Sequence, residues 1–174
     1  NFNNKLWNAL KLVKMWEARI ESSTLKVESF AIDWFENRLN EVKAEVEVLM
    51  KQFRLSEALK TIYSLIWDDF CSWYLEWIKP GFEQPVDAGI FNKTIEFFTE
   101  LMQLLHPYMP FITEEIYHLL KERNEDLCVK QINGFKQINK QVLNNGNLLK
   151  EVITGLRDIR NKNQIKPKEQ IQLH

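Results

Sequence analysis

LHPYMPFITEEIY, residues 105–117, says more about the architecture of this protein than any other segment of its sequence. Pro107 cannot continue the hydrogen-bond ladder of a preceding helix, whereas Pro110 suits the first turn of a following helix. Glu114 and Glu115 favour the positive N-terminal end of that second helix. The segment therefore predicts a sharp corner between two helices. Three large side chains are expected to plug the bundle end at this corner: Tyr108, Met109 and Phe111.

Helical spacing continues outward from this corner in both directions, with apolar residues every three or four positions. Ser29, Ser56 and Asp87 are candidate N-caps, and the Lys-Pro-Gly run at residues 79–81 should end the third helix. The inner faces of the first four helices are expected to carry the following residues: Phe2, Leu6, Ala9, Leu10, Val13 and Ile20; Ile32, Phe35, Leu39, Val42, Val46, Leu49 and Phe53; Leu59, Ile62, Ile66, Phe70, Trp73 and Trp77; Phe91, Ile95, Phe98, Met102 and Leu105.

Composition and connection lengths favour an all-α fold. Only five Gly and five Pro occur in 174 residues, of which 45% are hydrophobic, so long helices around a packed core are expected. Short connections between such helices predict an antiparallel helical bundle, which we place at residues 1–133. No apolar run reaches the ~18 residues of a membrane span.

Residues 134–174 are expected to form a separate C-terminal helix-plus-strand segment. The Asn-Asn-Gly run at residues 144–146 predicts a turn, followed by a sixth helix at about residues 146–163. Residues 170–173 alternate in polarity like a strand. The inner face of the sixth helix is expected to carry Leu149, Val152, Ile153, Leu156 and Ile159.

The sequence offers no catalytic constellation. Cys71 and Cys128 are far apart, which excludes a zinc ribbon and suggests free thiols in a reducing cytoplasm. Glu115 and His118 have the i,i+3 spacing of carboxylate-bridged di-metal bundles, but the second such pair is missing, so no metal site is predicted. No Gly-rich phosphate loop or GxSxG motif is present. The adjacent Asp68 and Asp69 point about 100° apart on a helix, and one of them is expected to pair with a buried Arg or Lys.

Charge and aromatic residues point towards a polyanion partner. The net charge is +3 over residues 1–20, −9 over residues 21–135 and +5 over residues 136–174, so basic side chains concentrate at the two ends. Amide and lysine side chains form one face at the start of the first helix. The third helix carries four large aromatic residues: Trp67, Trp73, Tyr74 and Trp77. Unpaired RNA bases stack on such rings, and amides read base edges.

Three segments together resemble the anticodon-binding bundle of class I aminoacyl-tRNA synthetases. These are NFNNKLWNALKLV at residues 1–13, SEALKTIYSLIWDDFCSWYLEWIK at residues 56–79 and LLHPYMPFITEEIYHLL at residues 104–120. The sequences of these segments are most similar to those of the valyl enzymes. VITGLRDIRNKNQIKPKEQIQL, residues 152–173, resembles the start of the junction module that follows the bundle in valyl and leucyl enzymes.

The resemblance implies that the chain is a non-catalytic piece of a valine-tRNA ligase, with tRNA (valine isoacceptors) as its partner. It implies a cytoplasmic monomer with no cofactor of its own, since ATP and Mg²⁺ belong to a catalytic domain whose HIGH and KMSKS motifs are absent here. Contacts to the anticodon stem-loop are expected between the start of the first helix and the end of the third, with phosphate contacts in the later helix. The implied RNA-binding residues are Asn1, Asn4, Lys5, Asn8, Trp73, Tyr74, Trp77, Lys79, Arg157 and Arg160.

Three other readings fit parts of the sequence. Isoleucyl and leucyl enzymes have the same anticodon-binding bundle, although they usually differ in these sequence segments. A helical protein-interaction module would show the same periodicity, and a metal-binding bundle enzyme would use carboxylates and imidazoles on facing helices. RNA binding differs from protein binding in a characteristic way, because its affinity falls linearly with salt on a log-log scale.

Overall fold

The computed structural model describes residues 2–21, 29–81, 83–132, 134–166 and 169. It confirms an all-α helical bundle, to which two-residue strands β1 (Ile20–Glu21) and β2 (Val86–Asp87) add one parallel pair. The chain divides into two compact units, Asn1–Ile138 and Asn139–His174. The helices are α1 (Phe2–Glu17), α2 (Phe30–Lys51), α3 (Leu55–Ser64), a π-helix (Leu65–Tyr74), α4 (Leu75–Ile78), α5 (Ala88–Leu105), α6 (Pro110–Leu120), a 3₁₀ turn (Leu127–Val129) and α7 (Lys140–Lys162).

One continuous rod is formed by α3, the π-helix and α4. Its central ten residues are wound with i→i+5 hydrogen bonds, which widen the turn relative to an α-helix. Buried positions in the rod consequently step by four, through Ile62, Ile66, Phe70 and Tyr74. The predicted inner stripe ended instead on Trp73 and Trp77, which are only partly buried. That part of the prediction is wrong because it assumed α-helical winding throughout.

An aromatic cluster forms the centre of the core. The ring centroid of Phe35 on α2 lies 5.3 Å from that of Phe70, 4.9 Å from that of Tyr74 and 5.1 Å from that of Phe97. These contacts join α2, the rod and α5 around one side chain. Complete burial of each such ring contributes about 1.5–3 kcal/mol, so this cluster accounts for much of the cohesion of the bundle.

Two ion pairs connect α2 to its neighbours. The Arg38 guanidinium donates to the Asp69 carboxylate at 2.8 Å, and the Lys43 ammonium donates to the Glu100 carboxylate at 2.8 Å. The side chains of Asp69 and Lys43 are buried, and each of these charges is compensated by a partner that is itself only partly exposed. In the first pair one of the two adjacent aspartates on the rod meets a basic residue, as expected, although Arg38 is only partly buried.

The corner predicted from the two prolines is present. α5 ends at Leu105 and α6 begins at Pro110, and the Tyr108 hydroxyl donates to the Leu55 carbonyl oxygen at 2.9 Å. This bond ties the corner to the start of the rod. Phe111, however, is 90% exposed, so its predicted role in plugging the bundle end is wrong. It lies in the first turn of α6 with its ring in solvent.

Several predicted boundaries are shifted. Ile20 lies beyond the end of α1 in β1, and Phe53 lies beyond α2 and is 86% exposed, so neither belongs to the core. Ser56 is inside α3, whose N-cap is Arg54. Asp87 caps α5 as expected. Among the described residues, no helix combines the length and apolar character needed to cross a membrane.

The second unit differs most from the sequence prediction. Its helix α7 begins at Lys140, because the Asn139 side chain accepts hydrogen bonds from the Gln141 and Val142 amides at 3.0 and 3.4 Å. The predicted turn at residues 144–146 is therefore wrong, since these residues are helical. Three residues expected to face inward are exposed: Leu149, Val152 and Ile159. The predicted strand at residues 170–173 lies outside the described residues.

Candidate nucleic-acid interface

The start of α1 lies against the middle of the rod, where Lys5 makes the connection. The Lys5 ammonium donates to Ser72 Oγ at 3.0 Å and lies 4.0 Å from the centroid of the Trp67 ring. Ser72 Oγ in turn donates to the Trp67 carbonyl oxygen at 2.8 Å, a bond that spans five residues of the π-helix. The wide turn of the π-helix thus positions the Ser72 hydroxyl so that it holds the Lys5 ammonium over the face of the Trp67 ring.

The Trp67 ring that contacts this cation stacks with two further rings. The centroid of Tyr63 lies 4.6 Å from that of Phe2 and 5.6 Å from that of Trp67, and the Tyr63 and Trp67 planes are only 9° apart. Tyr63 is 40% exposed, and the other two rings are partly buried. We call Phe2, Lys5, Tyr63 and Trp67 the Trp67 platform. Exposed aromatic faces beside a positive charge are the features by which proteins hold single-stranded nucleic acid.

The predicted amide face of α1 is only partly joined to this platform. Asn4 and Asn8 are exposed and, being four residues apart, share one side of the helix. Their amide groups remain available to solvent, whereas Lys5 points to the rod. Asn1 lies outside the described residues. The structure therefore places Lys5 at the platform and leaves two asparagines along its helix as additional hydrogen-bonding groups.

The end of the rod carries a second aromatic surface. The Trp77 ring lies edge-on to Trp34 at 4.8 Å and 6.1 Å from Phe30, and Trp73 lies 5.7 Å from Trp77. Trp73 and Trp77 are both partly buried, so each divides its surface between packing and solvent. Lys79 is exposed, with its ammonium 3.7 Å from the Glu76 carboxylate. These residues stay candidate contacts, but they lie at a different place on the rod from the Trp67 platform.

Tyr74 is not a candidate contact, contrary to the sequence prediction. Its ring is completely buried, and its hydroxyl shares a 2.9 Å hydrogen bond with Thr94 Oγ1 on α5. Burial raises the pKa of the Tyr74 phenol, while the hydrogen bond to Thr94 lowers it slightly. The step of four along the π-helix turns this side chain inward, so Tyr74 is part of the core.

The two predicted arginines of α7 have different surroundings. Arg157 is exposed on the helix. Arg160 donates through Nη1 to the Lys166 carbonyl oxygen at 2.8 Å and through Nη2 to the Glu169 carbonyl oxygen at 2.9 Å. Arg160 thus fixes the segment that follows α7, and fewer of its five N–H groups are left for phosphate.

Lys5 is the one member of the platform among the RNA-binding residues that the resemblance implies. The sequence predicts Phe2 for the core, gives Tyr63 no role, and includes Trp67 in the aromatic cluster of the third helix but not among the implied contacts. A signal existed, because Tyr63 and Trp67 are four residues apart and therefore share a face of a helix. The sequence places Lys5 near the start of α1, but it does not indicate whether Lys5 contacts Trp67 or the tryptophans near the end of the rod.

Comparison with known proteins identifies the family to which the chain is similar. Residues 33–174 match the family model described as the anticodon-binding domain of tRNA ligase. The chain is 45% identical to a valine–tRNA ligase of Phocaeicola vulgatus and 41% identical to one of Parabacteroides distasonis, in each case over 99% of the chain and 20% of the relative. A valine–tRNA ligase of Prochlorococcus marinus subsp. pastoris is 31% identical over the whole chain and 20% of its own length.

The matched region covers most of both units, including all of the rod and the helix α7. The chain spans about a fifth of the length of the relatives that it matches. This chain belongs to the anticodon-binding domain family of tRNA ligases.

Proposed function

We propose that this chain binds the anticodon stem-loop of a valine tRNA and that the Trp67 platform holds unpaired bases of the loop. The observation that carries this proposal is the stack of Phe2, Tyr63 and Trp67 with the Lys5 ammonium beside it. Membership of an anticodon-binding family supports RNA as the ligand. The similarity to valine–tRNA ligases supports the valine isoacceptor.

The chemistry of the platform suits a hairpin loop. Bases in a loop are unstacked at little cost, so a base can pack against the exposed part of Tyr63 and extend the aromatic stack. Stacking of this kind is worth about 1–3 kcal/mol per base. The ammonium of Lys5 adds attraction to the phosphate backbone, and the exposed amides of Asn4 and Asn8 can donate to or accept from base edges.

The proposal extends to the protein of which such a domain forms part. The parent activity would be that of a valine–tRNA ligase, which joins valine to its tRNA using ATP. Recognition of the anticodon here would orient the acceptor end towards a catalytic domain that holds the ATP and Mg²⁺, with no cofactor in this chain. We also propose that the protein acts as a cytoplasmic monomer.

The test is binding of a fluorescently labelled stem-loop, measured by anisotropy at fixed moderate salt. One hairpin carries the valine anticodon, and a second has the same stem and a scrambled loop. Tyr63→Ala should weaken binding of the first hairpin by roughly 5- to 150-fold, the range that corresponds to one lost stack. Phe111→Ala removes another exposed ring, far along the chain in α6, and should leave binding unchanged.

Two outcomes would count against the proposal. Equal affinity for the two hairpins would remove the claim of anticodon recognition. Equal effects of the Tyr63 and Phe111 substitutions would show that the platform is not the contact. Thermal melts of both variants are needed beside the titrations, so that a loss of binding is not confused with a loss of folding.

A further inference from the structure

Two carboxylates and an imidazole come together on α6 and in the segment that follows it. Glu114 and His118 are four residues apart on α6, and Asp126 follows in the segment after that helix. One ligand atom from each residue lies within 4.8 Å of the others. Glu114 and His118 also line a pocket together with His106 and Cys128.

The spacing of these atoms resembles that of a metal coordination shell. His118 Nε2 lies 3.2 Å from Glu114 Oε1 and 3.3 Å from Asp126 Oδ1. Ligands at about 2.0–2.1 Å from a tetrahedral zinc ion are separated from one another by roughly 3.3 Å. Both distances therefore suit two edges of such a tetrahedron, and two carboxylates converge on a single imidazole nitrogen.

A backbone hydrogen bond orients the central carboxylate. The Leu127 amide donates to Glu114 Oε1 at 2.6 Å, which occupies one lone pair of that oxygen and leaves the other for a cation. Hydrogen bonds of this kind fix metal-binding carboxylates in position. The same bond holds the segment containing Asp126 against α6, so the third ligand is kept near the first two.

We propose that Glu114, His118 and Asp126 bind a divalent zinc-type ion. One imidazole nitrogen with two carboxylate oxygens is a donor set that zinc accepts, whereas magnesium and calcium prefer oxygen ligands alone. Three protein ligands leave a position for water on the pocket side. The bound ion links α6 to the 3₁₀ turn at Leu127–Val129 and so fastens the segment that follows the corner.

The experiment is calorimetric titration of the chelator-treated chain with ZnCl₂ at pH 7.5. We expect one equivalent of Zn²⁺ to bind, and a large molar excess of Mg²⁺ or Ca²⁺ not to displace it. Asp126→Asn and His118→Ala should each weaken binding by more than about 100-fold, since loss of a direct ligand exceeds the 10- to 100-fold typical of supporting residues. Asp126 is exposed, so its substitution is expected to leave the fold intact.

Glu115→Gln is the matched control, because Glu115 is an exposed carboxylate adjacent to Glu114 on the same helix. It should bind zinc as the unmodified chain does. A thermal melt provides a second readout: zinc should raise the melting temperature of the unmodified chain and of Glu115→Gln, but not that of Asp126→Asn. Zinc binding that survives both ligand substitutions, or that is lost equally in Glu115→Gln, would overturn the proposal.

Discussion

Phe53 occupies a backbone position that favours glycine. Its φ is 58°, in the left-handed region where a Cβ atom is crowded. The Phe53 amide donates to the Met50 carbonyl oxygen at 3.0 Å, and the Arg54 amide donates to the Leu49 carbonyl oxygen at 2.9 Å. These two bonds form a Schellman motif that ends α2, with phenylalanine at the residue that is usually glycine.

Phe53→Gly should therefore stabilise the chain. Relief of the left-handed strain is worth about 1–2 kcal/mol, and the extra freedom of glycine in the unfolded chain cancels part of it, which leaves a gain of about 0.5–1 kcal/mol. The ring is 86% exposed, so little packing is lost. Urea denaturation followed by circular dichroism measures the difference. Phe53→Ala keeps the strain and should not stabilise; if both variants changed stability equally, the ring rather than the backbone would be responsible.

The two cysteines should differ sharply in reactivity. Burial raises the pKa of the Cys71 thiol to about 11, although the nearby Lys5 charge lowers it slightly, and Cys128 is exposed. Because the thiolate is the reactive form, only about one Cys71 in a thousand is reactive at pH 8. A disulfide reagent at pH 8 should modify one thiol per native chain quickly and the second only in denaturant. Fast modification of native Cys128→Ser would contradict this expectation.

Residue identity alone could not separate Trp73 from Tyr74. Steps of three and four along an α-helix place Trp73 on the apolar stripe, and aromatic residues suit both a core and a base-stacking surface. The wider turn of the π-helix turns Tyr74 inward towards Thr94 and moves Trp73 off that stripe. The spacing of hydrophobic residues does not distinguish a π-helix from an α-helix. Only the structure therefore shows that Tyr74, and not Trp73, belongs to the core.

At the scale of elements, helix ends were predictable where a side chain makes the cap. Asp87 Oδ1 accepts hydrogen bonds from the Gly89 amide at 2.7 Å and the Ile90 amide at 3.1 Å, which satisfies two amides of the first turn of α5. Ser29 occupies the equivalent position before α2, yet its side chain makes no capping bond to the turn it precedes. The same residue class thus marks both starts but stabilises only one.

This contrast gives a paired prediction. Asp87→Ala should cost about 1 kcal/mol of unfolding free energy, within the 0.5–2 kcal/mol that loss of an N-cap usually costs. Ser29→Ala should cost less than half as much, since no capping bond is lost. Asp87→Asn keeps an acceptor and should recover most of the loss. Denaturant unfolding of the three variants provides the comparison, and equal losses for Asp87→Ala and Ser29→Ala would show that the observed caps do not decide helix stability here.

The start of α7 shows where element prediction fails. Asn-Asn-Gly at residues 144–146 has the composition of a turn, and a helical glycine costs only about 1 kcal/mol relative to alanine. That cost is small for a helix of 23 residues whose N-terminus is already capped by Asn139. Local composition pointed to a break, but the capping residue five positions earlier determines where the helix begins.

At the scale of the whole molecule, the family resemblance implied RNA contacts between the start of α1 and the end of the third helix, and this placement stays a prediction. The structure shows that Lys5, near the start of α1, contacts the rod. The contact is with Trp67 and Ser72 in the middle of the rod, whereas the sequence prediction favoured its last residues. Which turn of one helix faces another depends on tertiary packing and on the winding between them, and neither is encoded in a local motif.

The position of Lys5 leads to a prediction about salt. If its ammonium neutralises one phosphate of a single-stranded loop, log affinity should fall with log salt concentration by about 0.7 less after Lys5→Gln, because one counterion fewer is released. Lys11 lies on the same helix and is exposed, so Lys11→Gln is the matched control and should leave the slope unchanged. Stem-loop titrations at several salt concentrations give both slopes. Lower affinity for Lys5→Gln with an unaltered slope would mean that Lys5 positions Trp67 through Ser72 and does not meet phosphate itself.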